Sequence, residues 1–177
     1  TGINFENKFI TFGENIIYPS LRHIHLGMTI TADLKWSSHI NSLFSECCKL
    51  LGLLRRQAYD LTFTQKSMVY LSIIRPKIEY GSILYDACNL HDVAKLDQLQ
   101  RKAAIICTNA MPRTDTKVLN SYLNWESLSD RRLVAKFCLF YKMLRNMVPS
   151  YLCQLIKMLT DEIHKTRTSD PHRLNVK

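Results

Sequence analysis

Glycine, proline and long apolar runs are scarce in this sequence, and each scarcity excludes a class of protein. Glycine and proline number only five each among 177 residues, and long polar stretches without either favour helices over a turn-rich sandwich or barrel. No apolar run approaches the ~18–20 residues that span a bilayer, and the N-terminus lacks a charged-then-apolar targeting pattern. We therefore expect a mainly α protein that has no membrane partner and lies inside the cell, in the nucleus or the cytoplasm.

Cysteine is present but lacks the spacing of a structural metal site. None of the six cysteines forms a C-x-x-C pair, the spacing at which zinc ligands often occur. Most fall in apolar helical contexts, so in a reducing compartment we expect buried free thiols that pack as small hydrophobic side chains. The six are Cys47, Cys48, Cys88, Cys107, Cys138 and Cys153.

Catalytic signatures are missing as well. The chain has no glycine-rich phosphate loop, no G-x-S-x-G, no H-E-x-x-H and no adjacent pair of aspartates. Two-metal nucleotidyl transfer needs carboxylates that bridge ions ~3.5–4 Å apart, whereas Asp33, Asp60, Asp86 and Asp92 are scattered over turns and helix starts, where carboxylates cap amides. We predict no catalytic residue, no metal site and no cofactor in this chain.

A change of hydrophobic period near residue 35 divides the chain. Residues 1–34 combine β-branched and aromatic residues with turn signals at residues 12–15 and 18–20, which is typical of short strands. Over residues 24–30, apolar side chains alternate with others and predict one strand with an apolar face of period two. From Trp36 onward, apolar residues recur at helical spacing, which predicts a bundle of amphipathic helices.

Caps and prolines locate these helices. Ser37 or Ser38 is available as the N-cap of the first helix. The second begins near Thr64, and Pro76 predicts a kink or restart at Arg75. The remaining helices are expected over about residues 92–108, 117–123, 127–149 and 151–159. We therefore predict a β element at 1–34, a helical bundle at 35–110, further helices at 111–159 and a mobile polar tail at 160–177.

Basic residues are spread over the helices, mostly away from the apolar stripes. The net charge of +9 makes phosphate backbones or anionic lipid suitable partners, because a basic surface concentrates polyanions. On the helix from residue 127, Arg131, Lys142 and Arg145 fall within ~60° of one another at 100° per residue. The other candidates are Arg55, Arg56, Lys66, Arg75, Lys77, Lys95, Arg101 and Lys102. By themselves these residues suit backbone binding and simple solvation about equally well.

Several blocks of sequence, taken in order, resemble one polymerase family. Residues 22–30 (RHIHLGMTI) resemble the block that ends the palm of non-LTR retrotransposon reverse transcriptases, and residues 36–40 (WSSHI) resemble the W-x-x-H-I that follows. Residues 49–56 (KLLGLLRR) look like the first thumb helix of that family, and residues 74–81 (IRPKIEYG) are similar to its R-P-x-x-E-Y block. Later blocks at 95–103, 123–128 and 140–144 continue the same order.

The resemblance covers roughly residues 5–155 and implies a jockey-like or related element. It implies that an upstream palm domain carries the catalytic aspartates and Mg²⁺, and that this chain supplies the primer-side hairpin and the helical thumb. Because the chain opens with Thr1 rather than Met, we expect a fragment. Because paired carboxylates for metal ions are missing, we expect that it is not an enzyme on its own. The residues expected to contact an RNA–DNA template–primer are Leu26, Gly27, Arg55, Arg56, Lys66, Arg75, Lys77, Arg101 and Lys102.

Within this set, Gly27 would let the backbone approach the primer closely because it has no Cβ. Recognition of phosphate and sugar would be of shape rather than of base sequence. The alternative is a helical protein-interaction or structural domain, a decayed or host-adopted piece of the element without a nucleic-acid role. The same amphipathic helices would serve that alternative.

Overall fold

The computed structural model describes residues 9–86 and 88–155. Within it the chain forms two compact units that part between Arg132 and Leu133. The fold is mainly α with an N-terminal β element, as the sequence predicts. None of the helices in the described residues is long and apolar enough to cross a membrane. The predicted mobile tail at 160–177 lies outside the described residues.

The β element consists of two antiparallel hairpins. Strands β1 (Ile10–Phe12) and β2 (Asn15–Ile17) pair around a turn, and β3 (Arg22–His25) pairs with β4 (Met28–Thr31). The single strand predicted over 24–30 is therefore wrong.

The chain reverses at Leu26 and Gly27, which adopt φ values of 48° and 77°, the left-handed region that tight hairpin turns need. Paired residues of such a hairpin share a face, so Met28 lies on the face of His25 and opposite to Ile24. Burial does not follow these faces, because Met28 and Thr29 of β4 are both buried whereas Ile24 and His25 of β3 are exposed. A period-two pattern alone does not distinguish one long strand from the two arms of a hairpin. Leucine is not a typical turn residue, so Leu26 does not indicate the turn between the two arms.

Seven α-helices follow in the described part of the chain. They are α1 (Ser37–Arg56), α2 (Phe63–Val69), α3 (Arg75–Glu79), α4 (Ser82–Tyr85), α5 (Leu90–Thr108), α6 (Thr116–Leu123) and α7 (Leu128–Leu144). Residues 150–155 are helical too. The observed bounds of α5 and α6 lie within two residues of the predicted bounds, and α2 begins one residue before its predicted start.

The starts of α2 and α1 are capped differently. Thr62 and Gln65 form a reciprocal capping box at α2, in which each side chain accepts the other's backbone N–H. The predicted Ser cap of α1 is wrong, because Trp36 occupies that position without a side-chain cap. Ser37 instead donates its hydroxyl to the Asp92 carboxylate at 2.5 Å, so it joins α1 to the start of α5.

Pro76 does not interrupt its helix as sharply as predicted. A π-helical turn, Tyr70–Ile74, joins α2 to α3, and the Arg75 N–H bonds to the Tyr70 carbonyl five residues back. Proline has no N–H, and its ring crowds the carbonyl four residues earlier, so a locally widened turn accommodates it. The helix therefore continues from Phe63 to Glu79 with one irregular turn, and Arg75 keeps helical backbone angles.

The core of the first unit lies where α1 packs on α5. Ile40, Cys47 and Leu51 of α1 are buried with Leu99 and Ala103 of α5. The π-helical turn closes this core, because the buried Tyr70 ring stacks on Trp125 at 4.3 Å between centroids. The residues of α1 and α5 in this core are distant in sequence, so the surface between these two helices depends on the tertiary fold.

Candidate nucleic-acid interface

A cavity of about 1010 Å³ opens between α1, α2 and α5, and we call it the cationic groove. Three basic side chains of the predicted set, Arg55, Lys66 and Lys102, line it. Among the residues that the structure describes, no acidic side chain lines it. Its remaining lining residues are Cys48, Leu51, Gly52, Ala58, Tyr59, Leu61, Ile105, Ile106, Asn109, Ala110 and Pro112. The groove therefore combines apolar walls with an uncompensated positive charge.

Lys66 is the most enclosed of the three cations. Only 4% of its surface is exposed, and its Nζ donates to the neutral Asn109 Oδ1 at 3.4 Å. Asn109 ends α5 in the left-handed conformation that commonly terminates helices. An ammonium group removed from water is costly unless an opposite charge or several acceptors compensate it. A single neutral acceptor at this distance leaves most of the donor capacity of Lys66 available.

Lys102 approaches the same groove from α5. Its Nζ lies 5.0 Å from the centroid of the Phe44 ring, a cation–π geometry, and 3.9 Å from the Cys48 sulfur. Both neighbours belong to α1. The contacts orient the Lys102 ammonium without neutralising it, because a π face and a thiol carry no formal charge.

Arg55 and Arg56 occupy the last turn of α1. Cations are favoured there, because the helix dipole places partial negative charge at the C-terminus. Both side chains are exposed, and neither has an ion-pair partner within residues 9–86 and 88–155. Tyr59 follows in the next turn and is 98% exposed. It was not among the predicted site residues, since a single aromatic residue outside any motif gives no signal in the sequence.

Arg101 does not belong to the groove, although the sequence placed it in the same set. Its Nη1 donates to the Thr114 carbonyl at 2.8 Å and to Thr116 Oγ1 at 2.7 Å, and its Nη2 donates to the Pro112 carbonyl at 2.7 Å. The guanidinium thus fastens the loop between α5 and α6. Its prediction as an exposed phosphate contact needs correction, because its donors are engaged within the fold.

Arg75 and Lys77 are also compensated by acidic partners. Arg75 Nε lies 3.8 Å from Glu79 Oε1, and Glu79 binds Arg131 as well. Lys77 Nζ lies 3.0 Å from Glu46 Oε2, and this bond with Lys77 lowers the pKa of the Glu46 carboxyl. Arg75 and Lys77, which belong to the same predicted set as the groove residues, therefore have carboxylate neighbours, whereas the cations of the groove have none among the described lining residues.

The basic residues predicted to form a stripe on the helix from residue 127 also differ in their contacts. Arg131, in the first unit, binds both Glu79 and Glu126. In the second unit, the Arg145 guanidinium lies 5.5 Å from the Tyr141 ring centroid. Arg131 is thus used within the fold, and the stripe does not act as three equivalent free cations.

Leu26 and Gly27 form the tip of the β3–β4 hairpin, beside a second cavity of about 460 Å³ that we call the hairpin cavity. The Tyr80 hydroxyl donates to the Leu26 carbonyl at 2.9 Å and fastens the tip to the end of α3. A Cβ on Gly27 would meet nothing within 4 Å, so the backbone there faces open space, and glycine is favoured by its φ of +77°.

His39 and Gly81 hold the start of β4, directly after the hairpin turn. The Thr29 N–H donates to His39 Nδ1 at 3.4 Å, and burial lowers the pKa of the His39 imidazole. At Gly81, with φ of +66°, a Cβ would come within 2.8 Å of the Met28 sulfur. The glycine that closes the 74–81 block is therefore required both by its backbone and by the packing of Met28.

Metal-ligating side chains do not converge in the described residues, where no group of three or more His, Cys, Asp or Glu side chains could hold an ion. The cysteines are free, with Cys47, Cys107 and Cys153 buried and Cys138 exposed. Burial raises the pKa of the Cys47 and Cys107 thiols to about 11, which keeps both protonated and unreactive at neutral pH.

Comparison with known proteins does not add to this geometry. No family model matches the sequence, and no curated protein or solved structure matches it significantly. The resemblance of the sequence blocks to reverse transcriptases therefore stays a prediction.

Proposed function

We propose that this chain is the non-catalytic thumb region of a non-LTR retrotransposon reverse transcriptase and that it holds an RNA–DNA template–primer through backbone contacts. The observation that carries the proposal is the cationic groove, where Arg55, Lys66 and Lys102 meet and where the described lining contains no acidic residue. Arg56 extends the same charge onto the exposed end of α1. Such a surface binds phosphates regardless of base sequence.

The proposal assigns different parts to the remaining predicted residues. Leu26 and Gly27 would face the primer at the hairpin tip, where open space adjoins the backbone. Arg101, Arg75 and Lys77 would act by holding the loop and helices in place, because all three are bonded within the protein. The catalytic carboxylates and Mg²⁺ would belong to an upstream palm domain, with which the exposed side chains of the hairpins would pack.

The test is the salt dependence of binding to an RNA–DNA hybrid. Counterion release lowers log K by about 0.9 per neutralised phosphate for each unit of log salt in a duplex. We expect the triple variant Arg55→Glu, Arg56→Glu and Lys102→Glu to weaken binding and to reduce the slope by about 2–3. A matched control reverses Lys35, Lys49 and Lys117, which are exposed and line neither cavity. Equal losses in the two triple variants would contradict the assignment.

A second candidate function is a protein-interaction or structural domain. The observation in its favour is that Arg75, Lys77, Arg101 and Arg131 serve intramolecular contacts, as basic residues do in proteins without a nucleic-acid role. Weak hybrid binding with a flat salt response would favour this candidate over the thumb.

A further inference from the structure

We propose that the cationic groove binds an unpaired nucleic-acid strand, with a phosphate at Lys66 and a base stacked on Tyr59 at the rim. This inference rests on the proposed function, and it deepens that function by naming the form of nucleic acid that this groove takes. Three features of the groove carry it: where its charge lies, where its aromatic ring lies, and what forms its walls.

One cation lies deep in the groove and two lie at its rim. Lys66 is 4% exposed and has a neutral amide as its hydrogen-bond partner, whereas Lys102, which lies over a ring and a thiol, and Arg55 are exposed. Among the described residues, the lining contains no carboxylate. Such a site favours an anion that enters it, because the anion would supply the charge and the acceptors that the buried ammonium lacks.

The aromatic ring lies at the rim. Tyr59 lines the groove yet is 98% exposed, so nearly its whole ring is available to a ligand. Rings beside a cationic groove are the usual platforms on which single strands stack their bases, since every base has a π face. Arg55, one helical turn earlier, supplies a cation for the adjoining phosphate.

This order of features argues against an amphipathic helical peptide. Such a peptide inserts its apolar residues into the floor of a groove and leaves its charges at the rim. Here a cation, Lys66, lies beside Leu51 among the enclosed residues of the groove, and the aromatic ring of Tyr59 is exposed at the rim. An unpaired strand fits this order, because its phosphates can enter while its bases turn outward.

The walls argue against a duplex within the groove. Leu51, Leu61 and Ile105 line it, and a duplex offers apolar base faces to such residues only where its bases are unstacked. The volume of about 1010 Å³ lies at the upper end of the ~300–1,000 Å³ typical of ligand pockets. The duplex would therefore contact the exposed cations Arg55, Arg56 and Lys102 at the rim, and an unpaired strand would enter the groove beside it.

The experiment measures binding of the full chain to fluorescent oligothymidylate and, in parallel, to an RNA–DNA hybrid. We expect Tyr59→Ala to weaken oligothymidylate binding about tenfold, since stacking on one aromatic ring contributes on that order, and to leave hybrid binding unchanged. Lys66→Met should weaken oligothymidylate binding and reduce its salt slope by about 0.7, the single-strand value per phosphate. The matched controls are Tyr18→Ala, at an exposed tyrosine outside the groove, and Lys49→Met on the outer face of α1.

Each outcome separates this inference from the proposed function. Hybrid binding without oligothymidylate binding, or oligothymidylate binding that Tyr59→Ala leaves intact, would overturn the inference while the thumb function stands. Failure to bind either nucleic acid would overturn both. Displacement of oligothymidylate by an acidic amphipathic peptide, with loss of peptide binding in Lys66→Met, would replace the strand by a protein partner. Should Lys66→Met fail to fold, Tyr59→Ala still decides, because that side chain is almost wholly exposed.

Discussion

The two cavities of the first unit use their basic residues in opposite ways. In the cationic groove, Arg55, Lys66 and Lys102 have no carboxylate beside them among the described lining residues. In the hairpin cavity, Lys77 faces Glu46 at 3.0 Å, and His39 lies in a buried position that favours its neutral form. The comparison teaches that positive potential accumulates where acidic residues are absent, rather than wherever lysine and arginine occur. The nine residues predicted to contact a template–primer included basic residues of both kinds, those without a carboxylate neighbour and those paired with one.

The largest effect on stability is expected from substitution of Arg101. This variant tests whether a cation near the groove has a structural role rather than a ligand-binding one. Arg101→Ala removes three hydrogen bonds to the loop before α6. Hydrogen bonds of charged groups contribute about 1.5–3 kcal/mol each. Because the side chain is partly exposed, we expect a total loss of about 2–3 kcal/mol in the free energy of unfolding, measured by urea denaturation.

Two further variants sharpen that prediction. Arg101→Lys keeps the charge but lacks the planar fork, so it should lose most of the same stability. Arg56→Ala, at an exposed position, should change stability by no more than about 0.5 kcal/mol. If Arg101→Ala were as stable as Arg56→Ala, the loop bonds would not hold the groove wall, and Arg101 would return to the set of free cations.

An intermediate effect is expected at Gly81, on the hairpin side of the comparison. A Cβ there would meet the Met28 sulfur at 2.8 Å in a backbone with φ of +66°. Left-handed backbone costs an L residue about 1–2 kcal/mol, and Met28 must also move. We expect Gly81→Ala to lower the free energy of unfolding by about 2 kcal/mol and to reduce the protection of β4 amides from hydrogen exchange.

Gly27→Ala is the matched control for Gly81→Ala. Gly27 has a similar φ of +77°, but its Cβ would meet nothing within 4 Å. We expect a loss of about 1 kcal/mol from backbone strain alone, with β4 protection retained. Equal effects of the two substitutions would show that Met28 does not anchor the hairpin.

The smallest effect is expected from the titration of His39. Burial lowers the pKa of this imidazole in the folded protein, although Glu46 opposes the shift. The unfolded chain, with a histidine pKa of about 6.5, therefore binds the proton more readily than the folded one. Stability should be fully present above pH ~6.5 and decrease as the pH falls below it toward the lowered pKa.

The measurement is the thermal midpoint as a function of pH, with His39→Asn as control. Asparagine offers an oxygen that can accept from the Thr29 N–H but does not titrate. The variant should lack the loss of stability that protonation of His39 causes at acid pH. Its thermal midpoint should therefore change less between pH 7 and 5 than that of the natural chain. Parallel profiles would mean that His39 protonation does not weaken the hairpin cavity.

Local signals in the sequence predicted the helices but did not show which basic side chains are free. Apolar spacing located α5 and α6, whereas their polar N-caps and the capping box at Thr62 were not predicted. The turn at Leu26 and the π-helical turn before Pro76 were missed as such. Leucine is rare at positive φ, and a proline signal does not tell whether a helix ends or widens.

By itself, the sequence determined the fold class, the approximate span of each major helix and the excess of positive charge. These follow from neighbours within one or two turns, where periodicity and capping act. Only the tertiary structure decided where that charge stays uncompensated. Lys77 meets Glu46 across 31 positions and Arg131 meets Glu79 across 52, while Lys66 meets the neutral Asn109 across 43. Such pairings depend on how helices pack, because charges interact through space at distances that separation along the chain does not reveal.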